Sequence, residues 1–89
     1  MSLRALRGLV AIGRHGGFAR AAEALGLTQA AISLRVKQLE EDLRVTLFDR
    51  SARSPQLTEA GLTVLRRAEA ILALYDNLAT DLSEDGPLE

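Results

Sequence analysis

Phe18-Ala19-Arg20-Ala21-Ala22-Glu23-Ala24-Leu25-Gly26-Leu27-Thr28-Gln29-Ala30-Ala31-Ile32-Ser33-Leu34-Arg35-Val36-Lys37 decides the fold. Gly26 follows an apolar-periodic run, where helices often end on a left-handed residue and glycine meets no Cβ clash. Thr28 then offers its hydroxyl to an early backbone N–H of a new helix. Ala21 and Ala22 are small and let two helices cross closely. The second helix carries Ile32, Val36, Leu39 and Leu43 on one buried stripe at helical period. Two helices joined by so tight a turn make a helix-turn-helix, whose default partner is the major groove of duplex DNA. An ordinary αα-hairpin of a small helical domain fits the same residues.

The neighbouring segments extend this core in both directions. Ser2 caps a first helix running to about Gly13–His15, with Leu3, Leu6, Leu9, Val10 and Ile12 on its apolar side. Gly16-Gly17 breaks it, and Phe18 wedges the start of the second helix. The third helix runs from about Gln29 to Leu43. Val45–Arg50 is β-prone, Ser51–Pro55 is turn-rich, and Gln56-Leu57-Thr58 is a candidate second strand. Such a hairpin directly after a recognition helix is the wing of a winged helix.

Thr58 caps a long last helix from Glu59. Leu65, Ala68, Leu72, Tyr75, Ala79 and Leu82 form one seam along it; Val64, Ile71, Leu74 and Leu78 form a second. One seam can pack on the domain. The other implies a second copy of the chain, because so long a rod exceeds what a small domain covers. The expected dimer interface is Leu65, Ala68, Ile71, Leu72, Tyr75, Leu78, Ala79 and Leu82. The expected fold is mainly α: a winged helix-turn-helix over residues 1–58, three helices plus a short hairpin, followed by a dimerisation helix over 59–82. Residues 83–89 read as a disordered acidic tail.

Composition limits the alternatives. Eighty-nine residues make one domain with one modest core. There is no cysteine, hence neither a disulfide framework nor a Cys-based metal site. His15, the one histidine, adjoins Gly16-Gly17 and reads as a solvated loop residue. No nucleophile–base pair stands out, so an enzyme is the poorest reading, and neither cofactor nor metal is expected. No apolar run approaches membrane-spanning length, and Met1-Ser2-Leu3-Arg4 does not open a signal peptide, so a cytoplasmic location is expected. The net charge of −1 conceals an asymmetry: residues 1–67 carry +5 and residues 68–89 carry −6. A basic head can meet phosphates while an acidic tail stays clear of them. Glu40-Glu41-Asp42 reads as a solvated helix end.

The chain closely resembles the N-terminal DNA-binding domain of LysR-type transcriptional regulators. The resemblance rests on Leu3-Arg4-Ala5-Leu6, Gly17–Leu25, Thr28-Gln29-Ala30-Ala31-Ile32-Ser33, Gln38–Leu43, Leu47-Phe48-Asp49-Arg50 and Leu57-Thr58-Glu59-Ala60-Gly61. It implies a winged helix-turn-helix, a linker helix that pairs with its mate, and dimeric binding to interrupted palindromes in promoters. Full-length members add an effector domain after the linker. These 89 residues hold no counterpart of it, so no small-molecule effector site is expected within them. Molybdate-responsive regulators share a similar N-terminal domain and are a minor alternative. Three positions depart from the LysR pattern: Ala30 replaces the usual proline, Leu34 a polar or basic residue, and Arg44 a glycine.

With Ile32, Val36, Leu39 and Leu43 turned inward, Ala30, Leu34 and Lys37 point outward with Ser33 alongside. Thr28 and Gln29 occupy the leading end. Gln29 can pair with adenine, and Thr28 and Ser33 can donate to phosphate oxygens. Ala30 and Leu34 either meet thymine methyls or lie unread beside the backbone. Lys37, Arg4 and Arg20 are candidates for phosphate contact, and Arg53 on the wing for the minor groove or its phosphates. Arg50 either clamps phosphate or pairs with a carboxylate such as Asp42. A different reading is a dimerising protein-interaction module that keeps the fold and leaves DNA alone.

Overall fold

The computed structural model describes residues 1–85. They form α1 (Leu3–His15), α2 (Phe18–Leu25), α3 (Gln29–Leu43), β1 (Phe48–Asp49), β2 (Gln56–Leu57) and α4 (Glu59–Asp85). Three helix starts are capped by hydroxyls that accept a backbone N–H: Ser2 from Ala5 at 3.2 Å, Thr28 from Ala31 at 3.1 Å, and Thr58 from Gly61 at 2.9 Å. The turn between α2 and α3 closes on Gly26, at φ 68° and ψ 34°. Leu27 N–H then reaches back to the Ala22 carbonyl at 2.8 Å. The left-handed glycine thus satisfies carbonyls that the end of α2 would leave orphaned.

The core sits where α1, α2 and α3 cross. Leu9, Ile32, Val36, Leu39 and Leu47 are fully buried. Phe18 and Phe48 meet edge to face, 5.0 Å between centroids, so the first residue of α2 touches the first of the wing. β1 and β2 pair antiparallel, Phe48 opposite Leu57 and Asp49 opposite Gln56. The hairpin is shorter than the β-prone run Val45–Arg50 suggests. Val45 N–H bonds the Glu40 carbonyl, and Leu47 and Phe48 N–H turn to the Glu40 carboxylate. Those donors are therefore not available to a strand ladder.

α3 ends on Arg44, at φ 57° and ψ 44°, the left-handed region that the departure from glycine puts at issue. An arginine there costs roughly 1–2 kcal/mol against its preferred backbone.

α4 corrects the dimer assignment. Ala68 and Leu72 are buried in the core of their own head, and Leu65 is half-buried on it; a Cβ added at Gly13 of α1 would stand 2.9 Å from the Leu65 side chain. Ala68 and Leu72 are thus taken up by the fold rather than offered to a second copy, while Leu65 stays partly open. The division falls along the rod rather than between its two seams. Twenty-seven helical residues span about 40 Å against about 20 Å for the 13 of α1, so α4 outruns what it packs on. Past Leu72, α1 holds α4 through Arg7, which donates to both carboxylate oxygens of Asp76 at 2.7 and 3.5 Å. This pairing raises the Arg7 pKa and holds the Asp76 carboxyl below its ordinary value. α4 also continues past Leu82 to Asp85, so helix replaces the expected disorder at residues 83–85. Residues 86–89 of that expected tail lie outside the described residues. Among the described residues, no helix is long and apolar enough to cross a membrane.

Candidate nucleic-acid interface

α3 buries Ile32, Val36 and Leu39 and turns the opposite side outward. Gln29, Ala30, Leu34 and Lys37 are exposed and Ser33 is half-buried. Thr28 is exposed at the cap, where its hydroxyl oxygen serves Ala31 and its proton remains available to an acceptor. The leading end of α3 is therefore free.

Grooves run along both flanks of α3. On the wing side, Ala30, Ser33, Leu34 and Lys37 face Thr46, Phe48 and Arg50. On the α1 side, Leu34, Arg35 and Gln38 face Ser2, Leu3 and Arg4. A third groove, about 710 Å³, joins the start of α2 to the start of α3 and the wing; Arg20, Gln29, Ser33 and Arg50 line it. The N-cap of α2 is Gly17, which supplies no side-chain cap. The first-turn N–H groups of α2 thus lack a side-chain acceptor at the edge of that groove, an arrangement suited to an anion.

The structure gathers the sequence-predicted cations around α3. Arg20 and Arg50 stand on the side of α2 and the wing, Lys37 on α3 itself, and Arg4 on the α1 side. Arg53 is exposed on the loop joining β1 to β2. Arg50 does not pair with Asp42. Its guanidinium lies 5.7 Å from the centre of the Phe18 ring, and Asp42 bonds the amino terminus of Met1 at 3.1 Å. The stacked ring orients Arg50 without neutralising it.

Glu40 overturns the reading of the acidic run as merely solvated. Its carboxylate accepts from Leu47 N–H at 2.8 Å and Phe48 N–H at 3.4 Å. From the other side, Thr58 N–H donates to the Leu47 carbonyl at 2.9 Å and the Thr58 hydroxyl to the Thr46 carbonyl at 2.6 Å. The root of the wing is thus held by α3 and by the start of α4 together. A signal was present in the sequence: a carboxylate near a helix C-terminus opposes the helix dipole and calls for a compensating donor. Arg35 is a further cation of this face that its half-apolar surroundings hide in the sequence. It is half-buried above Gly8 and donates to the Arg4 carbonyl at 3.4 Å, adding positive charge to the α1 flank.

Ile71, Tyr75, Leu78, Ala79 and Leu82, from the expected dimer interface, are all exposed. Leu74 joins them and is 75% exposed. This is a continuous apolar stripe on the projecting part of α4.

Comparison with known proteins agrees with this architecture. The family of bacterial regulatory helix-turn-helix proteins of the lysR type matches residues 3–62. A "Probable RuBisCO transcriptional regulator" of Cyanophora paradoxa is 47% identical over 83 residues, 93% of this chain and 26% of that protein. The RuBisCO operon transcriptional regulator of Allochromatium vinosum is 45% identical over 71 residues, 80% of this chain and 24% of that protein. The chain spans about a quarter of the length of these relatives. Among solved structures, the BenM DBD in complex with benA site 1 DNA superposes with a TM-score of 0.91 at 28% identity, over 100% of both chains. The CbnR DBD–DNA complex superposes at 0.85 with 36% identity, over 98% of this chain and 99% of that one. The match over residues 3–62, together with the winged head and long final helix, establishes that this chain belongs to the LysR family of bacterial helix-turn-helix regulatory proteins.

Proposed function

We propose that this chain binds double-stranded DNA with sequence preference, as a dimer joined through the projecting part of α4, and that it regulates transcription from the DNA it occupies. The observation that carries this is the free outer side of α3, flanked by cations on both sides. A major groove offers the complementary profile, with phosphates on its walls and base edges on its floor. Two solved neighbours that match almost the whole chain are DNA complexes, which favours this reading over a protein-interaction module.

In this reading Arg4, Arg20, Lys37, Arg50 and Arg53 meet the backbone, with the α2 N-terminus beside Arg20. Gln29 approaches base edges, and Thr28 and Ser33 add phosphate contacts. The stripe of Ile71, Leu74, Tyr75, Leu78, Ala79 and Leu82 pairs with its copy, because contiguous exposed apolar surface on a rod is stabilised by a second chain. No reaction is assigned to the chain. A regulator of this kind works in the cytoplasm, beside the chromosome.

The test is fluorescence anisotropy with random-sequence duplex at two salt concentrations, alongside analytical ultracentrifugation. Retention that weakens steeply with salt, by a dimeric species, supports the reading. A dimer that leaves duplex DNA unbound at low salt would establish the interaction module instead.

A further inference from the structure

We infer that Leu34 makes this chain select half-sites that present a thymine methyl to the crest of α3; the inference rests on the DNA-binding reading above. Leu34 is 57% exposed, on the side of α3 opposite Ile32, Val36 and Leu39. It lines both the groove toward the wing and the groove toward α1, so it forms the ridge between them. Cations stand on both slopes: Lys37 and Arg50 on one, where Glu40 also lies with its carboxylate engaged by the Leu47 and Phe48 amides, and Arg4 and Arg35 on the other.

A ridge with positive slopes seats in the major groove with its slopes toward the two phosphate walls and its crest on the floor. A residue lying unread beside one strand would occupy a single slope, and Leu34 does not. On the floor, the apolar group a base offers is the C5 methyl of thymine; the other bases present donors and acceptors there. A leucine pressed on those would leave them desolvated and unpaired. The crest therefore favours thymine twice, by burying its methyl and by penalising the alternatives. Burial of one methyl group is worth about fourfold in affinity.

The experiment uses duplexes recovered by this chain from a random pool. Each thymidine of the half-site is replaced singly by deoxyuridine, which removes the methyl and keeps the pairing edge. Dissociation constants are measured at one fixed salt concentration for the natural chain and for Leu34→Ala, with circular dichroism to confirm that the variant folds. At one thymidine per half-site, uridine is expected to weaken the natural chain about fourfold, and Leu34→Ala to bind both duplexes alike. Equal binding of all thymidine and uridine duplexes by the natural chain would overturn the inference. So would a methyl preference that survives in Leu34→Ala. If binding stays salt-sensitive in either case, the DNA-binding reading stands. Absence of salt-sensitive binding on every duplex overturns both.

Discussion

Replacing Gly61 by alanine sets two physical effects against each other. Gly61 lies in the first turn of α4, where alanine's better helix propensity is worth up to about 1 kcal/mol. The space there says the opposite. A Cβ on Gly61 would stand 2.1 Å from the Leu47 carbonyl oxygen and 2.9 Å from the Leu57 side chain. An ordinary carbon–oxygen contact is about 3.3 Å, so helix and wing root must part by roughly 1.2 Å. Backbone stands on both sides of that contact, so no rotamer change relieves it. Parting them breaks the bonds from Thr58 to the Leu47 and Thr46 carbonyls, each worth about 0.5–1.5 kcal/mol, and adds about 1–3 kcal/mol of overpacking strain. Net destabilisation of about 2–4 kcal/mol is expected for Gly61→Ala. For a domain of this size that lowers the melting temperature by about 10–20 °C. Gly8→Ala is the control. Its Cβ would meet Arg35 at 3.6 Å, an ordinary contact, in the middle of α1, so that variant gains stability. Thermal melts followed by far-ultraviolet circular dichroism, at matched protein concentration, read both. A Gly61→Ala protein as stable as the natural chain or more so would refute the contact argument, because propensity alone predicts a gain.

Arg44→Gly relieves the left-handed strain at the end of α3 but gives glycine its larger unfolded entropy. A net rise of a few degrees in melting temperature is expected, and a fall would show that the arginine side chain holds something the backbone angle does not reveal. Arg53→Ala should weaken DNA binding on all sequences alike and reduce the slope of log affinity against log salt by about one; an unaltered slope places Arg53 away from phosphate. Leu78→Glu on the exposed stripe should shift sedimentation toward the monomer while the head keeps its helical spectrum, whereas Leu72→Glu, which buries a charge against α1, should unfold it. Acid titration tests the tie between Arg7 and Asp76. Because pairing lowers the Asp76 pKa, its contribution is present above the unfolded carboxylate value and is lost as the pH falls through the lowered one. Asp76→Asn should therefore be less stable near neutrality, with a stability difference that narrows on acidification; a gap that stays constant into strong acid would argue against the pair.

Local chemistry is what a sequence displays, and here it was enough for the order of elements. Ser2, Thr28 and Thr58 cap because a hydroxyl three residues before a free N–H needs nothing distant, and Gly26 turns the chain for the same kind of reason. The spacing of Ile32, Val36 and Leu39 determined which side of α3 goes inward and hence which residues it offers to DNA. Tertiary structure decided the rest. Only the packing of the head could tell Ala68 and Leu72, which are buried, from Tyr75 and Leu82, which stay exposed; all four continue one seam along the helix. Only the return of the chain onto α3 could show that Glu40 serves two wing amides and that Gly61 must remain bare against the Leu47 carbonyl. Periodicity marks apolar residues, but burial and hydrogen-bond partnership depend on which segments meet, and that is a property of the packed molecule.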